Sequence, residues 1–236
     1  MRLRETGAMK ASQAFADLPL RAVFFDLDGT LVDSAPDMAA AVNELMAQYG
    51  LEPHSLEAVR GMIGHGVEKL IERAFAAHSV ALGLEDQSAS RERMNEIYGR
   101  HLTRLTSLRP GADRALTAAR KAGMRTGVVT NKPGGFSRIV LAHFGLSNEL
   151  DVVIGGDAGH PKKPAPDMLL AACHACGCSS AQAVMVGDSM ADVGAARAAG
   201  MRCIIVRGGY TELAAEALGA DCVIDVLDQL ESVFLR

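Results

Sequence analysis

The sequence predicts an α/β protein: a parallel β-sheet with helices on both faces and a block of α-helices inserted after the first strand. Three observations carry this expectation. From Pro110 onward, short apolar runs alternate with helical patterns, the rhythm of a parallel sheet built from strand–helix–strand units. The run Ala22-Val-Phe-Phe25 is of the same kind, although it lies well upstream. Between the two, the patterns are almost wholly helical.

Taken in order, the segment Arg21-Ala-Val-Phe-Phe-Asp-Leu-Asp-Gly-Thr30 starts as an apolar run rich in Val and Phe and is broken by Gly, which reads as a buried strand and its turn. Helices are predicted over 37–49, stopped by Gly50, over 67–78 and over 88–105. The glycine-rich stretch from Arg60 to Gly66 predicts a loop between helices. After Pro110, helices are predicted over 112–122, 136–144, 166–176, 191–199 and 211–218, and strands over 125–130, 151–154, 183–186, 202–206 and 222–224. The expected organisation is a leader over 1–19, an α/β core made of 20–32 and 106–236, and a helical cap over 33–105.

The 236 residues are 49% hydrophobic and 22% charged, with a formal net charge of −4. This is the make-up of a globular chain rather than a disordered or fibrous one, and one long enough to bury a core without disulfides. A negative net charge supplies no general attraction for nucleic acid or anionic membrane, and no apolar run reaches bilayer length, so neither partner is expected. Residues 1–19 carry charges without the continuous apolar segment of a secretory signal; a loosely ordered leader is expected, with Met9 a second candidate start. Five cysteines, three of them crowded at Cys173, Cys176 and Cys178, make a poor disulfide framework, and a reducing cytoplasm is the expected compartment.

In open parallel sheets, ligands bind at the carboxyl ends of the strands. The candidate chemistry therefore lies just past each apolar run. After the first come Asp26 and Asp28; after Arg125–Val129, Thr130 and Asn131; after 151–154 and a loop, Lys162 and Lys163; after 183–186, Gly187 and Asp188, with Asp192 a helical turn further on. Asp26 and Asp28 are two apart and so point to one side of an extended strand. Clustered carboxylates repel, and a hard divalent cation such as Mg2+, which takes oxygen ligands, removes that penalty. A lysine and a hydroxyl can hold phosphate oxygens where charge develops.

Each feature also has a plainer reading. Asp and Gly favour turns, Thr130 and Asn131 can end a strand and cap a helix, and Asp192 can serve as favourable charge in a first helical turn. Of the two lysines, Lys163 is preferred because it directly precedes Pro-Ala-Pro. Cys173, Cys176 and Cys178 lack the distant second ligand pair of a zinc site and read better as small buried hydrophobes.

The motif Asp26-Leu-Asp-Gly-Thr30, Thr130 in Val-Val-Thr-Asn-Lys, Lys163 in Lys-Lys-Pro-Ala-Pro-Asp, and Gly187-Asp-Ser-Met-Ala-Asp192 resemble, in order, the four motifs of the haloacid dehalogenase-like phosphohydrolase superfamily. Four motifs in register are far more specific than one. The stretches DLDGTLVDSAPDMAAAVN and IGHGVEKLIERA resemble the phosphoglycolate phosphatase branch. The resemblance implies a Rossmann-like core and hydrolysis of 2-phosphoglycolate through an aspartyl-phosphate. Asp26 is implied as nucleophile, Asp28 as general acid and base, Thr130 and the backbone of Asn131 as phosphate-binding groups, and Lys163 as the counter-charge. It also implies Mg2+ held by Asp26, Asp188 and the main-chain carbonyl of Asp28, with Asp192 in support. Arg60 and His65, beside the glycine-rich loop with Lys69, are candidates for reading the substrate from the cap; an exposed histidine without a role is an equal reading of His65. The partner is then a small-molecule phosphate ester, and the chain a monomer or a homodimer. Three alternatives share parts of the pattern. They are a phosphatase of the same superfamily acting on a sugar phosphate, nucleotide or pyrophosphate, a phosphosugar mutase, and a phospho-receiver, which needs neither a cap nor Asp28.

Overall fold

The computed structural model describes Phe15, residues 20–211 and residues 213–235. Apart from Phe15, which is buried in the core, the leader expected over 1–19 lies outside the described residues. The strand that the sequence marks first is the central one. β1 (Ala22–Phe25) has no exposed residue, as a strand covered on both faces requires. The chain continues through β2 (Val32–Asp33), four helices α1 (Ala35–Gln48), α2 (Leu56–Met62), α3 (Val67–Ala76) and α4 (Leu84–His101), and β3 (Ser107–Leu108). Then comes the alternating part: α5 (Ala112–Lys121), β4 (Arg125–Val129), α6 (Gly134–His143), β5 (Val152–Ile154), α7 (Asp167–Ala175), β6 (Ala183–Gly187), α8 (Met190–Ala199), β7 (Arg202–Val206), β8 (Cys222–Ile224) and α9 (Glu231–Phe234).

One parallel sheet has the order β5-β4-β1-β6-β7-β8. Phe25 lies beside Val128 on one side and Val186 on the other, so the residues just past three strands reach the same edge. Two apolar clusters cover the two faces. One contains Leu116, Val128 and Val186 and continues without a break into the insert at Leu45, Phe75 and Ile97. The other lies beneath α7 and α8 around Met168, Leu169 and Met185.

Three predicted elements differ. The helix expected over 211–218 is only a 3-10 turn at Ala215–Leu218. The segment is tethered at its start by Tyr210 and further on by an Arg207–Glu216 ion pair, and tertiary contacts of that kind override a good helical propensity. The loop expected from Arg60 to Gly66 is shorter, because Arg60, Gly61 and Met62 belong to α2, whose start is capped by Ser55 Oγ accepting from Ala58 N at 3.2 Å. Finally, β2 and β3 pair antiparallel, Val32 with Leu108 and Asp33 with Ser107; two residues per strand are too few to show a period.

The two crossings into the insert are tied as well as paired. Asp37, fully buried near the start of α1, accepts from the main-chain N–H groups of Leu105 and Thr106 and, at 2.7 Å, from Thr106 Oγ1. A buried carboxylate is tolerated only with such partners. Tyr210 Oη donates to Asp33 Oδ1 at 2.7 Å and accepts from the N–H groups of Ser34 and Ala35, fastening the first crossing to the loop after β7.

Candidate active site

β1 and β6 are neighbours, and the chain leaves them in opposite directions across the sheet, toward β4 and toward β7. Open α/β sheets leave a crevice at such a switch point. Asp26 stands at the end of β1 and Asp188 just past β6. With Asp192 on the first turn of α8, they place buried carboxylate oxygens within 4.8 Å of one another.

Lys163 is the cation of this cluster. Its buried Nζ donates to Asp192 Oδ1 at 2.6 Å and to the main-chain carbonyl of Val129 at 2.7 Å, and lies 3.0 Å from Asp26 Oδ1. Asp192 has no oxygen to spare. Its Oδ2 accepts from the N–H groups of Asp188 and Ser189 and from Ser189 Oγ. It therefore holds Lys163 and the backbone of Asp188 in place. Asp188 accepts from Thr30 Oγ1 at 3.1 Å and from Tyr210 N at 2.6 Å. A Cβ at Gly29 or Gly209 would stand 2.3 or 2.2 Å from Asp188 Oδ2, so main chain without side chains presses on this carboxylate from two sides.

Three carboxylates faced by one ammonium are short of positive charge. Burial pushes Asp26 up to about 6 against the pull of Lys163, with Asp192 and Asp28 adding to the rise. Burial and the neighbouring Asp192 and Asp26 hold Asp188 well above the usual carboxylate range. Burial would lower Lys163, yet Asp192 and Asp26 overcome it and hold the ammonium above its ordinary value. An all-oxygen, electron-rich pocket short of two positive charges fits a hard divalent cation, with Asp26 and Asp188 as the carboxylates left to ligate.

Asp28 has other company. Its carboxylate accepts from Ser34 Oγ at 2.6 Å and is paired with Lys132 Nζ at 2.9 Å. It is not one of the three clustered carboxylates of Asp26, Asp188 and Asp192, although it and Asp26 line one cavity. Lys132 Nζ also donates to Tyr98 Oη and sits 4.6 Å over the Tyr98 ring. Burial would lower this ammonium, but Asp28 and Tyr98 together hold it above its ordinary value. The sequence reading missed Lys132 and Tyr98. The first had a signal, since Lys132 comes directly after Thr130 and Asn131; Tyr98 had none, being one apolar-face residue among many on its helix.

A cavity of about 50 Å3 lies between the strand ends and the insert, lined at its base by Asp26, Asp28, Thr130 and Asn131. Thr130 is buried there, its Oγ1 accepting from Lys132 N. The side chain of Asn131 joins three parts of the chain. It donates to the carbonyls of Gly64 in the insert and Lys163 in the core, and accepts from Lys163 N at 2.9 Å. Arg60 and His65 are placed elsewhere. They line a neighbouring cleft with Arg73, Ser189 and Gly209, and Arg60 Nη2 is paired with Asp33 Oδ2 at 2.9 Å. From the insert it is instead Ile63, Gly64, Val67, Asn95 and Tyr98 that face the cavity with Asp26. Residues 60–65 all line the outer cleft, and of them only Ile63 and Gly64 reach the cavity as well. The cysteine cluster joins no group of three ligating side chains among the described residues; Cys173 is buried against the second apolar cluster.

Known proteins share this architecture. The family model described as haloacid dehalogenase-like hydrolase matches residues 23–206. A plasmid-encoded phosphoglycolate phosphatase of Cupriavidus necator is 40% identical over 225 residues, covering 93% of this chain and 95% of its own. A crystal structure described as a predicted phosphoglycolate phosphatase from Haemophilus somnus superposes with a TM-score of 0.85 at 28% identity, covering 91% of this chain and 97% of that one. A mutant of CbbY from Rhodobacter sphaeroides, in complex with xylulose-(1,5)bisphosphate, superposes with a TM-score of 0.75 at 27% identity, covering 89% and 95%.

Proposed function

The chain belongs to the haloacid dehalogenase-like hydrolases and is a phosphoric monoester hydrolase, and we propose that it converts 2-phosphoglycolate to glycolate and inorganic phosphate with Asp26 as the nucleophile. The observation that carries the reading is Lys163 held 3.0 Å from Asp26 by Asp192, with Asp188 in the same carboxylate cluster and Asp26 itself at the base of a small cavity. The catalytic and ligand roles of these residues are part of the proposal.

An Asp26 carboxylate oxygen attacks phosphorus in line, and the bond to the glycolate oxygen breaks, leaving an aspartyl-phosphate. Asp28 gives its proton to the departing alkoxide. Water then attacks the phosphorus, Asp28 takes its proton, and cleavage of the acyl-phosphate link frees phosphate and restores Asp26. Ser34 and Lys132 orient Asp28 for both transfers. Thr130 and the backbone of Asn131 hold phosphoryl oxygens, and Lys163 offsets their charge. Mg2+, held by Asp26, Asp188 and the main-chain carbonyl of Asp28, would supply the missing positive charge and bind a phosphate oxygen. The helical insert serves as a lid that closes over the substrate and excludes water. A cavity of about 50 Å3 has room for a few water-sized groups, which favours a two-carbon acid over a nucleotide. A cytoplasmic location suits an odd number of cysteines, three of them crowded into six residues from Cys173 to Cys178.

The test is a phosphate-release panel of small phosphomonoesters, run with Mg2+ and with chelator. Release from 2-phosphoglycolate is expected only with the metal, and Asp26→Asn should abolish it, a loss of about 10^3-fold or more. Full turnover in chelator would remove the metal role; a sugar bisphosphate as the preferred substrate would move the chain toward the chemistry of its sugar-bisphosphate-bound neighbour.

A further inference from the structure

Asn95 lies on α4, in the insert, and lines the same cavity as Asp26, Asp28 and Lys132. Its Oδ1 is buried and has no hydrogen-bond partner among the described residues. Buried amide ends are normally paired, so an unpaired one at a cavity wall calls for an explanation. The amide's two ends are interchangeable by a half-turn, which lets this position offer either an acceptor or an N–H donor.

Its surroundings narrow the choice. The other insert residues at the cavity are mostly apolar: Ile63, Val67, Leu70 and Met94. The cation lining it is Lys132, buried, whose ammonium has three donors. Both carboxylate oxygens of Asp28 and the hydroxyl of Tyr98 engage its three donors in this structure, and the contact to Asp28 Oδ2, at 3.2 Å, is longer than that to Oδ1. An amide able to turn its N–H outward, together with a buried ammonium that can exchange its longer contact to Asp28 Oδ2 for a new acceptor, is a pairing that suits a carboxylate.

We infer that Asn95, together with Lys132, forms the subsite that reads the carboxylate of the substrate, making Asn95 a specificity-determining residue supplied by the insert. This rests on the reading of the chain as a phosphatase of a small phosphorylated acid. The acid enters with its phosphoryl group at Asp26 and its carboxylate toward α4. There the Asn95 amide donates one hydrogen bond, and Lys132 donates another in place of its longer contact to Asp28 Oδ2 while keeping Oδ1. A neutral ester of the same length presents a hydroxyl in that place and gains only the weaker of these contacts.

The experiment compares two esters differing only at that end, 2-phosphoglycolate and 2-hydroxyethyl phosphate, using the full chain with Mg2+. The readout is the ratio of their kcat/KM values, which cancels any general loss of activity or of folded protein. The wild type should favour the acid, and Asn95→Ala should cut the ratio by about tenfold or more. Asn95→Asp, which sets a like charge against the carboxylate, should cut it further. An unchanged ratio in both variants, with the wild type still preferring the acid, overturns the assignment and leaves the proposed reaction intact. A wild type without activity on 2-phosphoglycolate overturns the proposed reaction, and this inference with it.

Discussion

Lys163 sets the electrostatics of the site at the scale of one residue. It faces Asp26 and Asp192 from full burial, and neither carboxylate has another cation paired with it among the described residues. Removing one partner of such a cluster leaves uncompensated buried charge. Lys163→Met should therefore cost about 3–5 kcal/mol of stability besides catalysis; a denaturant midpoint within error of wild type would show that the pair carries no such weight. Asp26 makes a second prediction. Its pKa rises from 3.8 to about 6 because burial outweighs Lys163. The sign is opposite to that of an ordinary ion-paired aspartate. Its stabilising contribution is complete below pH 3.8 and is lost as pH climbs through 6, a difference of about 3 kcal/mol. A cation bound by Asp26 and Asp188 recovers that loss, so the rise in Tm on adding Mg2+ should be larger at about pH 7.5 than at about pH 5. Equal shifts at both values would mean that the metal does not meet these carboxylates. These aspartates were legible in the sequence because each directly succeeds an apolar run. Lys132 was less so, and Asn95 not at all, since a single polar residue on an amphipathic helix gives no sign of the cavity it will line.

At the scale of elements, Asp37 has the largest single task outside the site. It stands on α1 and satisfies two main-chain N–H groups and a hydroxyl on the returning chain. Asp37→Ala would strand those buried donors at once, and a loss of about 3 kcal/mol is expected. Asp37→Asn, which keeps an acceptor, should lose less; equal midpoints for the two variants would point to lost charge rather than lost hydrogen bonds. The core strands were readable because a strand buried on both faces is a continuous apolar run. The helix expected over 211–218 shows the limit of such reading. Its composition favours a helix, but Tyr210 is held at both its N–H and its hydroxyl by residues far away in sequence, and no local pattern announces that.

For the whole molecule, polar contacts join the insert to the core beyond the two crossings as well, among them Tyr98 with Lys132, Gly64 with Asn131, and Glu68 with Lys162. They are unequal. The Lys162–Glu68 pair is exposed, and Lys162→Ala should change stability by less than about 1 kcal/mol. Tyr98→Phe removes a buried hydroxyl on the insert that accepts from Lys132 Nζ. It should raise KM about tenfold while lowering kcat less; a loss confined to kcat would place Tyr98 in the chemical step instead. That a helical block interrupts the sheet was plain from where strand-like runs vanish and return. The pairing of β2 with β3 at its two ends was not, because two residues per strand are too brief to leave a trace.

That brief ribbon carries a wider implication. Asp33 faces Ser107 across it, so the polypeptide departs from the catalytic body and comes back at one address. The strands that align Asp26 with Asp188 are continuous in the sheet on either side of that one address. If the proposed roles hold, the residues that cleave lie at the strand ends, while part of what reads the substrate hangs from this one ribbon.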